Sequence, residues 1–242
     1  MPEMNLGDVV IHYEEAGHGP LALVFCHGFS TNMTDDFVQE IEFWREHFGR
    51  AMTWHHRGMG QSSKMTKYSL PLYASDMARL IDSLRMECVV VVGALFGGVV
   101  AQQFALDYPS KCAALVLDST SSELSVRRSE EYYKRGSAQR DSPDVGPGDP
   151  ESYVAAHRAV AGLREHPLTP RLKSIACPVL IVSGVGRSSD RRDVGAGIMS
   201  LHLPNNRIQL FEDSGPGVYR QQPQKFHALV LEFCQEHGII AG

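Results

Sequence analysis

The stretch VVVVGALFGGVV, Val89 to Val100, runs β-branched residues into a glycine, passes three residues and resumes after a glycine pair. Four valines in a row are a strand signal, and the apolar positions from 96 to 108 recur at helical spacing. The stretch therefore predicts a strand, a tight turn and a helix. At the tip of that turn stands Leu95, flanked by Ala94 and Phe96. None of the three carries an atom that attacks a carbonyl or yields a proton at neutral pH.

The same alternation extends outward in both directions. Strands are expected at LALVFC (21–26), AMTW (51–54), VVVVG (89–93), ALVLD (114–118), PVLIVS (178–183) and RIQLF (207–211), with an antiparallel edge pair around residues 8–14. Helix-period segments fall at 36–47, 71–85, 96–108 and 224–237, the second opening on proline, which suits a first helical turn. Such a series predicts an α/β fold: a mostly parallel central sheet with helices on both faces. Residues 121–170 break the series. They are charged, contain the loop-forming SPDVGPGDP at 142–150, and are helical only around 130–134 and 152–164. The expected organisation is a core of residues 1–120 and 171–242 with a small helical cap, 121–170, inserted after the ALVLD strand.

Bulk properties narrow the function classes. A chain of 242 residues, 43% of them hydrophobic, buries one sizeable core. A formal charge of -5 with scattered acids and bases offers neither a basic face for nucleic acid nor a polybasic membrane patch. The start, MPEMNLGDVVIHYEE, is acidic where a signal peptide is basic, and no apolar run reaches membrane-span length, so a soluble, cytoplasmic chain is expected. The five cysteines, Cys26, Cys88, Cys112, Cys177 and Cys234, lack CxxC spacing and read as buried free thiols rather than disulfides or zinc ligands.

Three motifs in order resemble one family. HGFS (27–30) looks like the HG-x-x loop after a third strand, HHRGMGQS (55–62) like the D-x-R-G-x-G-x-S loop after a fourth, and GALFGG (93–98) like the G-x-S-x-G-G nucleophile elbow of the α/β-hydrolase fold superfamily. The resemblance covers nearly the whole chain and implies that fold. It also locates what is missing. The nucleophile position falls on Leu95. The acid positions after the seventh strand fall on Gly186 and Arg187, with Asp190 and Asp193 further along, and Asp118 stands near an alternative acid position. The histidine position falls on Pro216; no histidine lies in 212–226, and His227 comes one turn into the final helix. All three triad positions read as substituted, and acyl transfer by the family mechanism then has no carriers.

The family's oxyanion hole uses backbone N–H groups, which the resemblance places at Phe29 and Phe96. A pocket of Phe29, Ser30, Leu95, Phe96 and Pro216 is expected, suited to a small, largely apolar molecule with a carbonyl or acidic oxygen. His55 replaces the loop aspartate. Its imidazole either caps backbone donors in that aspartate's stead or, with His27 and His56, approaches the pocket mouth as a general base. Tyr132, Tyr133 and His157 in the cap face a ligand or hold its helices together. No metal and no cofactor are expected. Three functions remain open: a non-hydrolytic binding protein, a lyase, isomerase or cyclase using the oxyanion donors with His55 or a cap residue, and a structural or partner-binding protein whose pocket is packed shut. The sequence leaves the oligomeric state open.

Overall fold

The computed structural model describes residues 2–29, 32–139, 149–186 and 192–242. The chain forms an eight-stranded sheet in the order β1-β2-β4-β3-β5-β6-β7-β8. β1 (Glu3–Asn5), β2 (Val10–Gly17) and β4 (Arg50–Trp54) pair antiparallel in turn, and β3 (Leu21–Cys26), β4, β5 (Cys88–Ala94), β6 (Cys112–Asp118), β7 (Val179–Gly184) and β8 (Asn206–Phe211) are parallel. This is the mostly parallel sheet expected from the alternation of strands and helices, in the layout of the α/β-hydrolase fold that the motif resemblance implies. The antiparallel edge is displaced from the expected 8–14: β2 runs on to Gly17, because all of Tyr13–Gly17 finds partners on β4.

Side-chain alternation along the strands divides the core into two layers. Val24, Val89, Val91, Leu115 and Ile181 face one side, packed by Met77, Leu80 and Ile81 of α2 (Leu70–Ser83) and Phe104 of α3 (Phe96–Asp107). Val90, Val92, Val116, Leu180 and Val182 face the other, against Trp44 and Phe48 of α1 (Asn32–Phe48) and, near the chain end, Phe226, Val230 and Phe233. Burial on both faces explains why the central strands read as unbroken apolar runs. At about 1.5–3 kcal/mol for each fully buried Val or Leu, these layers dominate the stabilising terms.

The segment between β6 and β7 forms α4 (Val126–Gln139), longer than its expected piece, and α5 (Pro150–Ala161), which starts before the expected 152 and gives way to a 3-10 turn at Gly162–Arg164. Asp149 explains the early start: its carboxylate accepts the Glu151 N–H, and Pro150 occupies the first turn, so the helix begins two residues before the expected position. α6 (Arg192–His202) connects β7 to β8, and α7 (Val218–Gln221) and α8 (Pro223–Glu236) close the chain. Among the described residues no helix is long and apolar enough to cross a membrane.

Candidate functional site

The turn after β5 holds Leu95 at φ 55°, ψ −113°, a left-handed region that costs a non-glycine residue about 1–3 kcal/mol. Backbone bonds lock it there: Leu95 N donates to Asp118 O at 2.9 Å, and Thr120 Oγ1 donates to Leu95 O at 2.8 Å. The flanking glycines are sterically required. A Cβ on Gly97 would lie 2.0 Å from Cys26 O, one on Gly93 2.7 Å from Gly97 O, and one on Gly98 2.6 Å from the Thr120 side chain. The geometry of a nucleophile elbow is complete, with an inert side chain at its tip.

Leu95 opens onto a cavity of about 440 Å³. Its sheet-side wall is Phe29, Leu95, Phe96 and Val99, and the segment between β6 and β7 supplies Leu124, Tyr132, Val160 and Leu163. The Phe29 ring runs parallel to Phe96 at 5.3 Å and to His157 at 4.0 Å, so α5 is fastened to the HG loop by aromatic contact. Phe96 is the first residue of α3, where N–H groups point outward unpaired. Among the described residues neither Phe96 N–H nor Phe29 N–H has a hydrogen-bond partner. The lining also carries polar residues: the buried Ser119 and, at the rim, the more exposed Ser121, Glu123, Ser125, Arg127 and Arg128. Sequence reading missed this rim; its only signal was the hydroxyl-rich STSSELSVRR run at 119–128.

Three of the five expected pocket residues, Phe29, Leu95 and Phe96, meet at the cavity, and Ser30 lies outside the described residues. Pro216 is a correction: it does not line the cavity. Its carbonyl accepts Gln221 Nε2 at 2.8 Å, and the adjacent Gly217 N donates to Ser119 Oγ at 3.1 Å, which folds this loop back onto α7. Asp118 completes that fastening. Fully buried, it accepts Ser119 Oγ at 2.7 Å and Tyr219 N at 3.1 Å, so the carboxylate at the alternative acid position holds the first turn of α7 in place. Gly186 donates its N–H to Ser214 O at 2.8 Å, while Arg187 and Asp190 lie outside the described residues.

His55 is the second correction, because neither it nor His27 nor His56 lines the cavity. His55 Nδ1 accepts the Gln61 N–H at 3.1 Å, and its ring packs on His12 at 4.8 Å. The turn wraps it so closely that a Cβ on Gly60, φ 55°, would lie 2.3 Å from Nδ1. His27 Nδ1–H donates to Gly28 O at 2.8 Å and its Nε2 accepts the His56 N–H at 3.2 Å, while His56 Nε2–H donates to His27 O at 3.0 Å. Desolvation is the largest influence on all three, holding His55 at about 4, His56 at about 3 and His27 well below the usual imidazole value. They are neutral structural groups behind the pocket wall.

The remaining candidates separate cleanly. Tyr132 reaches the cavity and Tyr133 faces solvent beneath Arg158, while His157 donates Nδ1–H to Tyr153 O at 2.8 Å behind Phe29. His227 pairs with Glu40 at 2.8 Å and stacks on Phe43 between α8 and α1. Arg57 is buried against Asp76, its Nε and Nη2 at 2.5 and 2.6 Å from the two carboxylate oxygens. Among the described residues no group of three histidine, cysteine or carboxylate side chains is arranged to hold a metal ion.

Comparisons with known proteins agree with this geometry. The model of the alpha/beta hydrolase fold family matches residues 22–140. The chain is 25% identical over 204 residues to a putative 2-succinyl-6-hydroxy-2,4-cyclohexadiene-1-carboxylate synthase of Bacillus subtilis (strain 168), covering 69% of this chain and 73% of that one. It is 23% identical over 254 residues to 3-oxoadipate enol-lactonase 2 of Acinetobacter baylyi, covering 92% of each. Among solved structures, a hydrolase from Pseudomonas aeruginosa superposes with a TM-score of 0.81 at 20% identity, over 96% of this chain and 97% of that one. MenH from S. aureus superposes with a TM-score of 0.77 at 18% identity, over 94% and 99%. With its sheet order, its elbow and these superpositions in agreement, the chain has the α/β-hydrolase fold.

Proposed function

We propose that this protein binds, without hydrolysing, a small and largely apolar molecule that carries a carbonyl or acidic oxygen. The observation that carries this reading is an open cavity of about 440 Å³ with Leu95 at the elbow tip, where acyl transfer needs an attacking atom. The apolar wall from Phe29 to Leu163 takes the body of the ligand. The Phe29 and Phe96 N–H groups hold its oxygen, a role that survives any change of side chain at position 95. An open cavity supports binding over a pocket packed shut.

The test pairs two measurements. A fluorophosphonate probe leaves the elbow unlabelled, and a medium-chain methyl ketone or the matching carboxylate raises the melting temperature by mass action on the folded state. Covalent labelling at the elbow, or no thermal response to any such ligand, overturns the reading.

A second reading draws on the synthase relative: a lyase, isomerase or cyclase in which the same N–H pair polarises a carbonyl and a side chain of the insertion moves a proton. His55 is out of reach, and Tyr132 is the insertion residue that lines the cavity. In Tyr132→Phe, ligand binding kept with product formation lost selects this reading; product never formed by either protein selects the binder.

A further inference from the structure

Away from the cavity, at the opposite end of the sheet, two thiols meet that the sequence keeps far apart. Cys112 is the first residue of β6, and Cys177 stands two residues before β7, in the bend ahead of Pro178. β6 and β7 are parallel neighbours, with Leu115 opposite Val179 and Leu115 N donating to Pro178 O at 3.0 Å. Their starting ends therefore lie side by side. The two Sγ atoms are 3.7 Å apart, in van der Waals contact, although 65 positions separate them in the chain.

We propose that Cys112 and Cys177 form a peroxide-responsive dithiol that closes to an intramolecular disulfide across the base of β6 and β7. Bond formation needs an S–S length of about 2.05 Å, so the sulfurs approach by roughly 1.7 Å. Cys177 lies in a bend outside the strand ladder, so the pairing of β6 and β7 does not fix its own position. Exposure divides the roles: Cys112 is buried, and Cys177 is half-buried and meets a solute first. The electrostatics point the same way. When Cys177 ionises, the Cys112 S–H donates to its thiolate and lowers its pKa, while the same contact and burial raise that of Cys112.

The reaction balances with hydrogen peroxide as the oxidant. The Cys177 thiolate attacks one peroxide oxygen; the O–O bond breaks, hydroxide leaves, and Cys177 becomes a sulfenic acid. Cys112 sulfur then attacks the sulfenic sulfur; the S–S bond forms, the S–O bond breaks, and the departing hydroxide takes the Cys112 proton as water. Two thiols lose two electrons to one peroxide and two waters are formed. Cys88, half-buried at the start of β5, is the competing partner, since its neighbour Val89 pairs with Cys112.

The closed loop contains the whole β6–β7 insertion, so cross-linking restricts the unfolded chain and raises the melting temperature. The test treats the reduced full-length protein with stoichiometric hydrogen peroxide and maps its peptides without reduction. The expected result is a linked Cys112–Cys177 peptide two hydrogens lighter than its separate parts, reversed by dithiothreitol, with a melting temperature higher by roughly 5–10 °C. Cys112→Ser leaves a Cys177 sulfenic acid that dimedone traps, and Cys88→Ser leaves the cross-link intact. As a second readout, phenylarsine oxide binds the reduced parent one to one and fails to bind Cys177→Ala, whose fold is checked by circular dichroism. A Cys88–Cys112 link, over-oxidation of Cys177 in the parent without a cross-link, or arsenical binding retained in Cys177→Ala each overturns the proposal.

Discussion

The loop after β4 and the turn after β5 are mirror cases. The first, residues 55–62, gathers imidazoles and a guanidinium but seals them: His55, His56 and Arg57 are all at most 5% exposed. The second, residues 93–98, opens onto a cavity and presents a leucine. The first loop has reactive atoms without access, and the second has access with no reactive atom at its tip. The difference teaches that residue chemistry marks a site only where the backbone delivers it to a cavity. His55 and Leu95 sit at the ends of strands in one sheet, yet a turn that wraps inward and a turn that points outward give them opposite fates.

The largest expected effect tests the sealed side of that comparison. Asp76 is fully buried and supplies both oxygens to Arg57, which is 1% exposed. Removing the carboxylate leaves the guanidinium buried with Asp8 at 3.5 Å as its remaining acid, so Asp76→Ala is expected to cost about 3–5 kcal/mol in urea unfolding. A loss below about 1 kcal/mol would mean that water reaches Arg57 and the loop is open.

The open side has its own steric test. A Cβ at Gly97 would lie 2.0 Å from Cys26 O and 2.6 Å from His27 O, both rigid backbone atoms of the neighbouring strand end and loop. Gly97→Ala must displace the elbow or that loop. The expected cost is about 3 kcal/mol, with ligand response lost because Phe96 N–H is carried out of line. Full stability and unchanged ligand response in Gly97→Ala would show that the elbow geometry is not what holds the site.

Acid distinguishes the two regions further. His27, His55 and His56 have folded-state pKa values depressed by burial, against about 6.5 when unfolded. A group depressed in this way binds its proton first in the unfolded state. Its stabilisation is therefore complete above about pH 6.5 and is lost as pH falls, down to about 4 for His55 and about 3 for His56. Each contributes a slope of up to about 1.4 kcal/mol per pH unit in that window. In His55→Asn an amide oxygen replaces Nδ1 as acceptor for Gln61 N–H, and the slope between pH 6.5 and 5.5 is expected to fall by about one histidine's share. An unchanged slope means that His55 is solvated in the folded protein.

These tests also mark what was legible beforehand. The elbow was, because its signal is local: four valines, a glycine and a glycine pair fix a strand, a turn and a helix within twelve residues. The central strands fell within two residues of expectation for the same reason. The inward turn of His55 was not, since it depends on His12, 43 positions earlier, and on the left-handed Gly60. Pro216 was placed at the pocket by alignment alone, whereas Ser119 and Asp118, about a hundred positions away, fasten its loop elsewhere. The Cys112–Cys177 contact and the polar rim share this character. Contacts set by the packing of distant segments leave no period or spacing to read.

The smallest expected change in stability is the most discriminating. Leu95 is half-buried, its backbone is already in the left-handed region, and its side chain points into about 440 Å³ of open space. Leu95→Trp adds volume there without adding a β-branch, so the backbone strain is that of the parent. Overpacking a filled site costs about 1–3 kcal/mol, and filling an empty one costs little or gains from the extra apolar burial. The expected result is a change within about 1 kcal/mol together with loss of the ketone or carboxylate response, because the indole occupies the ligand's space beside Phe29 and Phe96. Strong destabilisation with no ligand response in the parent would return the elbow to the same class as the loop after β4, a sealed structural turn. Unchanged stability with ligand response retained would place the ligand elsewhere and separate the cavity at Leu95 from binding.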